Sequence, residues 1–218
     1  MELVESVAER TTAATDAVLA VAGITALVLL RRLPPSFARS VWMAALVALV
    51  VGATLGAIAH GLQLPAATRE LLWQPLYLSL GVTMALFVVG AVRDWRGDPA
   101  GRRALWPMLG VAVLFYGITR LAGGHFLAFV VYEAAALVFS LAVYVRLAAG
   151  EGRPGAGTMA LALGVSLAAG GVQAADLGSV HLLWEFDHNG LFHLVQLVGL
   201  ILLVAGLRRL LPLAAEVP

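Results

Sequence analysis

Apolar residues run along this chain in blocks about as long as a bilayer core is thick, and short polar links interrupt them. Seven blocks can be drawn, over residues 11–32, 37–62, 69–92, 102–122, 125–149, 155–177 and 189–210. A helix of about 20 apolar residues crosses the hydrocarbon layer. The links RRLPPS, LPAATRE, RDWRGDPAG, GEGRPG and DLGSVHLLWEFDHNG carry the Pro, Gly and Asp that end helices and make turns. The pattern predicts an all-α fold: one seven-transmembrane-helix bundle covering residues 1–218.

Composition agrees, with 61% hydrophobic and 12% charged residues. Soluble domains are far more polar. There is no cysteine, so disulfides, thiolate catalysis and cysteine-held zinc are excluded. All 14 basic residues are arginine. With no lysine there is no retinal Schiff base, and seven spans do not signal a microbial rhodopsin. The arginines sit at span ends rather than on an aromatic-rich face, so nucleic acid is not an expected partner. The start, MELVESVAERTTAATD, is acidic, whereas a signal peptide opens with basic residues. The first span is expected to stay in the mature protein.

Arginine placement predicts orientation. The links after spans one, three and five, with the C-terminus, hold 11 of the 14 arginines; the other face holds Arg10, Arg69 and Arg120. The positive-inside rule then puts the N-terminus outside and the C-terminus in the cytoplasm. An inner (plasma) membrane of a bacterium is the expected location, with membrane lipids as neighbours. Trp42, Trp95 and Trp106 fall near the inner boundary and Trp73 and Trp184 near the outer one, as an aromatic belt would. Asp94, Asp98, Glu151 and the clustered arginines read as solvated charges of the inner face.

This topology brings all five histidines to one end: His60, His125, His181, His188 and His193. Several polar stripes accompany them. Span two carries Gly52, Gly56 and His60 on one face, and glycines four apart allow a neighbouring helix close. Span seven carries Asn189, His193 and Gln196, a stripe that should face the bundle interior. Before it stand Glu185, Asp187 and His188; for Asp187 a helix cap is the first expectation. Span one offers Thr12 and Asp16, and an Asp inside a span costs roughly 2.5–3.5 kcal/mol on insertion scales. Span five offers His125, Tyr132 and Glu133, the last about 13 Å deep at 1.5 Å per residue. Span six offers Ser166, Gly170, Gln173 and Asp176, with Gln173 suited to bonding between helices.

Neutral imidazoles and carboxylates at one depth are zinc-type ligands. Zinc-bound water becomes a hydroxide-like nucleophile, and a nearby carboxylate can take its proton. The expected metal set is His60 and His193 with either His188 or Asp16. Asp16, Glu70 or Glu133 would act as base. Asn189, Gln196, Gln173, Asp176, Asp187 and Tyr132 would line the pocket. No tight motif such as H-E-x-x-H is present.

The layout resembles the CREST superfamily of alkaline ceramidases and adiponectin receptors. Members hold zinc with a histidine late in helix two and an H-x-x-x-H pair early in helix seven, assisted by a serine and an acid. His60 matches the first, and His193 the second member of the pair in HNGLFHLVQ. Asn189 stands where the pair's first histidine would be, with His188 one residue earlier. Gly56 stands at the serine position, and Glu70 near the expected acid. TTAATD, ATLGAIAHG and HNGLFHLVQ also look like segments of a set of bacterial seven-span membrane proteins. The resemblance implies zinc and hydrolysis of a lipid amide or ester, with substrate entering from the outer leaflet. The alternative is a seven-helix protein that binds a lipid or small ligand, or senses it, without catalysis. Transport is the third reading. Pro75 and Pro107 are expected within two turns of their helix starts, and no span reads as broken in mid-membrane.

Overall fold

A computed structural model describes residues 2–121, 127–175 and 178–214. It contains seven long helices: α1 (Val7–Arg31), α2 (Phe37–Gly61), α3 (Ala66–Arg96), α4 (Asp98–Leu121), α5 (Leu127–Glu151), α6 (Ala156–Ala174) and α7 (His188–Ala214). All seven are long and apolar enough to cross a membrane. The chain is an integral membrane protein built as an all-α bundle.

The helices do not pack in simple sequence order. α1, α2, α3, α5, α6 and α7 close a ring, each against its neighbours, with α7 returning to α1. α4 stands outside the ring, packed chiefly on α3. Gly81 makes that packing close, because a Cβ there would lie 2.8 Å from the Phe115 ring. α6 and α7 approach closely too: Gly206 leaves room for Met159, and Gly199 for the Ser166 hydroxyl. Gly155, at φ 85°, turns the chain into α6 with its α-carbon against the Gly206 carbonyl.

Several helices begin earlier than the apolar blocks do. α1 gains a turn because the Ser6 side chain accepts from Glu9 N at 3.3 Å and caps it. α3 starts at Ala66 and α4 at Asp98, so Pro75 and Pro107 lie in the third turn of each. Polar residues just outside the hydrocarbon still favour helix, and hydropathy does not register them. The link before α7 holds an unforeseen antiparallel hairpin, β1 (Val180–His181) with β2 (Glu185–Phe186). Residues 2–4 lie along the end of α2, with Val4 N donating to Gly61 O and Gln63 N to Glu2 O.

At the opposite end of the bundle, Asp94 and Arg93 are buried rather than solvated, which corrects the expectation for these charges. Arg93 donates to Asp94 Oδ1 at 3.0 Å and to Asp98 Oδ1 at 2.5 Å. Tyr144 Oη donates to Asp94 Oδ2 at 2.6 Å, and Arg153 reaches the Asp94 carbonyl. The network ties α3 to α5 and to the start of α4. Trp42 also leaves the expected belt. It is fully buried in the notch that Gly90 provides and meets Phe87 edge-on at 5.2 Å.

A buried charge stripped of one partner is costly, about 3–5 kcal/mol. Asp94→Ala should therefore lower the melting temperature in detergent sharply. Tyr144→Phe, which removes a single bond to a charged group, should cost about 1.5–3 kcal/mol. Wild-type melting of the Asp94 variant would show that the network contributes nothing.

Candidate functional site

The polar site is assembled where α1, α2 and α7 meet. Asp16 is buried in the middle of α1, and its Oδ1 lies 3.3 Å from Nε2 of His193 on α7. Its carboxyl rests on the bare backbone of Gly56: a Cβ there would stand 2.5 Å from Oδ2. Gly56 thus provides space for an acid from another helix. Gly52, the other half of the pair, meets only ordinary contacts from α3.

The tautomer of His193 follows from a proton count. Thr15 Oγ1 lies 2.8 Å from the Thr12 carbonyl and 3.0 Å from His193 Nδ1. The carbonyl can only accept, so the single hydroxyl proton goes there. The hydroxyl then accepts from Nδ1–H. Nε2 is left facing Asp16, and a single proton can join them. Either Asp16 is protonated and donates to Nε2, or the imidazolium donates to the carboxylate.

His60 is held in a parallel way. Its Nδ1 donates to Glu9 Oε2 at 2.6 Å, and its ring stands edge-on to Trp73 at 5.5 Å. Its Nε2 is free of that bond. Asp187 caps α7, as expected: its Oδ1 accepts from Gly190 N at 2.7 Å. The same oxygen accepts from Thr12 Oγ1 at 2.7 Å and fastens α7 to α1. Gln173 Nε2 donates to Asn189 Oδ1 at 2.9 Å and joins α6 to α7.

These groups surround a cavity of about 350 Å3 in the centre of the six-helix ring. Asp16, His60, His188, Asn189, His193, Gln196, Gln173 and Glu133 all line it, and α4 contributes nothing. Its remaining wall is apolar, built by Leu19, Leu49, Leu80, Met84 and Phe129 among others. On α2 the polar and apolar portions are separated along the axis, with His60 at the helix end and Leu49 three turns deeper.

Not every expected residue is brought in. Glu70 lies on the surface, its side chain 75% exposed and 4.0 Å from Arg120. It begins α3 on a turn that projects past the cavity. Tyr132 is absent from the lining: its hydroxyl donates to the Gly81 carbonyl at 3.2 Å and its ring stacks on Phe115. Those contacts draw the Tyr132 ring toward α3 and α4, while Glu133, the next residue, faces the cavity. His181 is exposed in β1. Asp176 and His125 lie outside the described residues. Glu9 and Thr15 were not singled out from sequence. Glu9, Thr12 and Asp16 form an i, i+3, i+7 stripe that would have pointed to Glu9.

The zinc set implied by the CREST resemblance is not gathered. Among the described residues no three His, Asp or Glu side chains come together as a metal site. Asn189, at the position of the missing histidine, is engaged with Gln173. The donor chemistry suits zinc, but the spacing does not.

The match to a family model of unknown function, DUF6962, runs over residues 11–212. The chain belongs to that family. The match reaches into all seven helices and includes every residue of the polar site except Glu9. No curated protein and no solved structure matches the chain.

If Gly56 exists to seat Asp16, then Gly56→Ala must push the carboxyl away from His193. Overpacking of this kind costs about 1–3 kcal/mol. Gly52→Ala, with room to spare, should melt within about 0.5 kcal/mol of wild type. Equal melting of the two variants in detergent would contradict the assigned role of Gly56.

Proposed function

We propose that the protein binds an amphipathic molecule of the membrane in the central cavity. The polar head lies at the end lined by Asp16, His60, His193 and Glu133, and the apolar part runs along Leu49, Leu80 and Met84. One observation carries this reading: a cavity of about 350 Å3 has its ionisable groups gathered near one end of the bundle and an aliphatic wall beyond them. Small-molecule sites are typically concave, mostly apolar and furnished with a few placed polar groups, at about 300–1,000 Å3. A ligand that sits across both regions has to be amphipathic. The arginine asymmetry supports an orientation with this polar end outside and the C-terminus in the cytoplasm. A head group would then enter from the outer leaflet.

Solvent extraction of detergent-purified protein, followed by mass spectrometry, tests the reading. About one amphiphile per chain is expected, as for a pocket that encloses most of its ligand. Leu80→Trp fills the apolar part and should leave the chain folded and largely empty. An unchanged amphiphile content in that variant, with wild-type melting, would sink the proposal.

A second reading is a zinc-dependent hydrolase of a lipid amide or ester. It draws on one feature: His60 and His193 each engage Nδ1 with a partner, the arrangement that orients imidazole for metal through Nε2. Zinc would polarise the scissile carbonyl and lower the pKa of a bound water. His60 and His193 would hold it through Nε2, and Asp16, which faces Nε2 of His193 at 3.3 Å, would move off that nitrogen to serve as base. Elemental analysis separates the readings. The hydrolase requires about one zinc per chain, lost in His60→Ala, whereas the binding protein needs none.

A further inference from the structure

Glu133 takes no part in the hydrogen-bonded assembly around Asp16 and His193. It lies on α5, 5% exposed, with its carboxyl on the cavity wall. Among the described residues no cation and no hydrogen-bond donor reaches it. Its neighbours are the wrong kind to satisfy an acid. Gly170 on α6 faces it, with 3.5 Å between the position of a Cβ there and Oε2. Gln173, one turn along α6, turns its amide nitrogen toward Asn189, which leaves its carbonyl oxygen without a donor. Gln196 on α7 likewise has a buried carbonyl oxygen without a donor. Both glutamines line the same cavity. Three helices therefore bring unsatisfied acceptors to one space, and among the described residues no cation reaches Glu133.

Burying a carboxyl and two amide oxygens without donors is unfavourable, because each loses water and gains no hydrogen bond in return. A ligand can remove that cost if it brings donors and positive charge. A primary ammonium has three N–H donors and no acceptor. A hydroxyl brings one donor and no charge, and a carboxylate head would meet Glu133 with like charge.

We propose that Glu133 is the counter-ion for the ammonium of a cationic amphiphile. This rests on the reading of the cavity as an amphiphile site and names the head group it selects. Glu133 also walls a second cavity of about 240 Å3 between α5 and α6. That cavity is lined by Gly171 and Ala174, both exposed on the helix surface. The acid is thus placed between the central cavity and the lipid-facing side of the bundle.

Native mass spectrometry of the full chain in a non-ionic detergent tests this with three probes of equal chain length: dodecylamine, dodecan-1-ol and dodecanoate. Wild type should bind the amine at least about tenfold more tightly than the other two, the size of one charge-assisted bond. Glu133→Gln should bring the three within about threefold of one another, and Glu133→Asp should keep the preference. Equal binding of all three by wild type, or an undiminished preference in Glu133→Gln, overturns the ammonium assignment and leaves the cavity reading standing. Failure of wild type to bind any of the three overturns both.

Discussion

The contact between Asp16 and His193 across the face of Gly56 is the constraint from which the rest of this site follows. A carboxyl in the middle of a membrane helix needs a partner, because lipid offers none. Here the partner comes from α7, and the space comes from a missing side chain on α2. The contact only forms if α1, α2 and α7 meet at one depth. Thr12 and Thr15 reinforce the meeting from α1 through Asp187 and His193. His60 then follows from helix periodicity, one turn along from Gly56, and is turned by Glu9. Groups that look separate in the sequence are one assembly in the fold.

The two ends of the bundle handle buried charge differently. At the Arg93 end, Asp94 is neutralised by a dense set of donors from α3, α5 and the segment before α6. Such a network fixes helices in place and leaves nothing to bind. At the Asp16 end, His60 keeps one ring nitrogen apart from its bond to Glu9, and Glu133 keeps its whole carboxyl so. A closed ring of helices with α4 left outside gives those groups a cavity to face. The separation of a satisfied end from an unsatisfied one is what makes the second a binding site rather than a structural joint.

Much of this was legible in the sequence because the bilayer imposes strict rules. Seven apolar blocks became seven helices, and topology alone placed Asp16, His60 and His193 together. The i+4 and i+7 spacing of Asn189, His193 and Gln196 correctly aimed all three inward. Other features depend on information that hydropathy lacks. Glu70 and Glu133 are both acids near helix ends, but the first turn of α3 stands exposed on every side whereas Glu133 faces the cavity. Tyr132 leaves the cavity because its hydroxyl bonds the Gly81 carbonyl and its ring stacks on Phe115, contacts between helices that no local pattern records. Asp94 reads as a link residue until α3 is seen to extend past the apolar block. Trp42 reads as a boundary residue until Gly90 opens a notch for it. The order of helices around the ring, with α4 excluded, is a long-range property that no local pattern records.

The central claim is that Asp16 and His193 act as one unit. A double-mutant cycle on unfolding in detergent, with Asp16→Asn, His193→Gln and the double variant, measures that directly. The account predicts non-additivity of about 0.5–3 kcal/mol, the range for residues in one hydrogen-bonded network. Additive effects, with coupling below about 0.3 kcal/mol, would mean that the two side chains do not depend on each other, and the assembly described here would be contradicted.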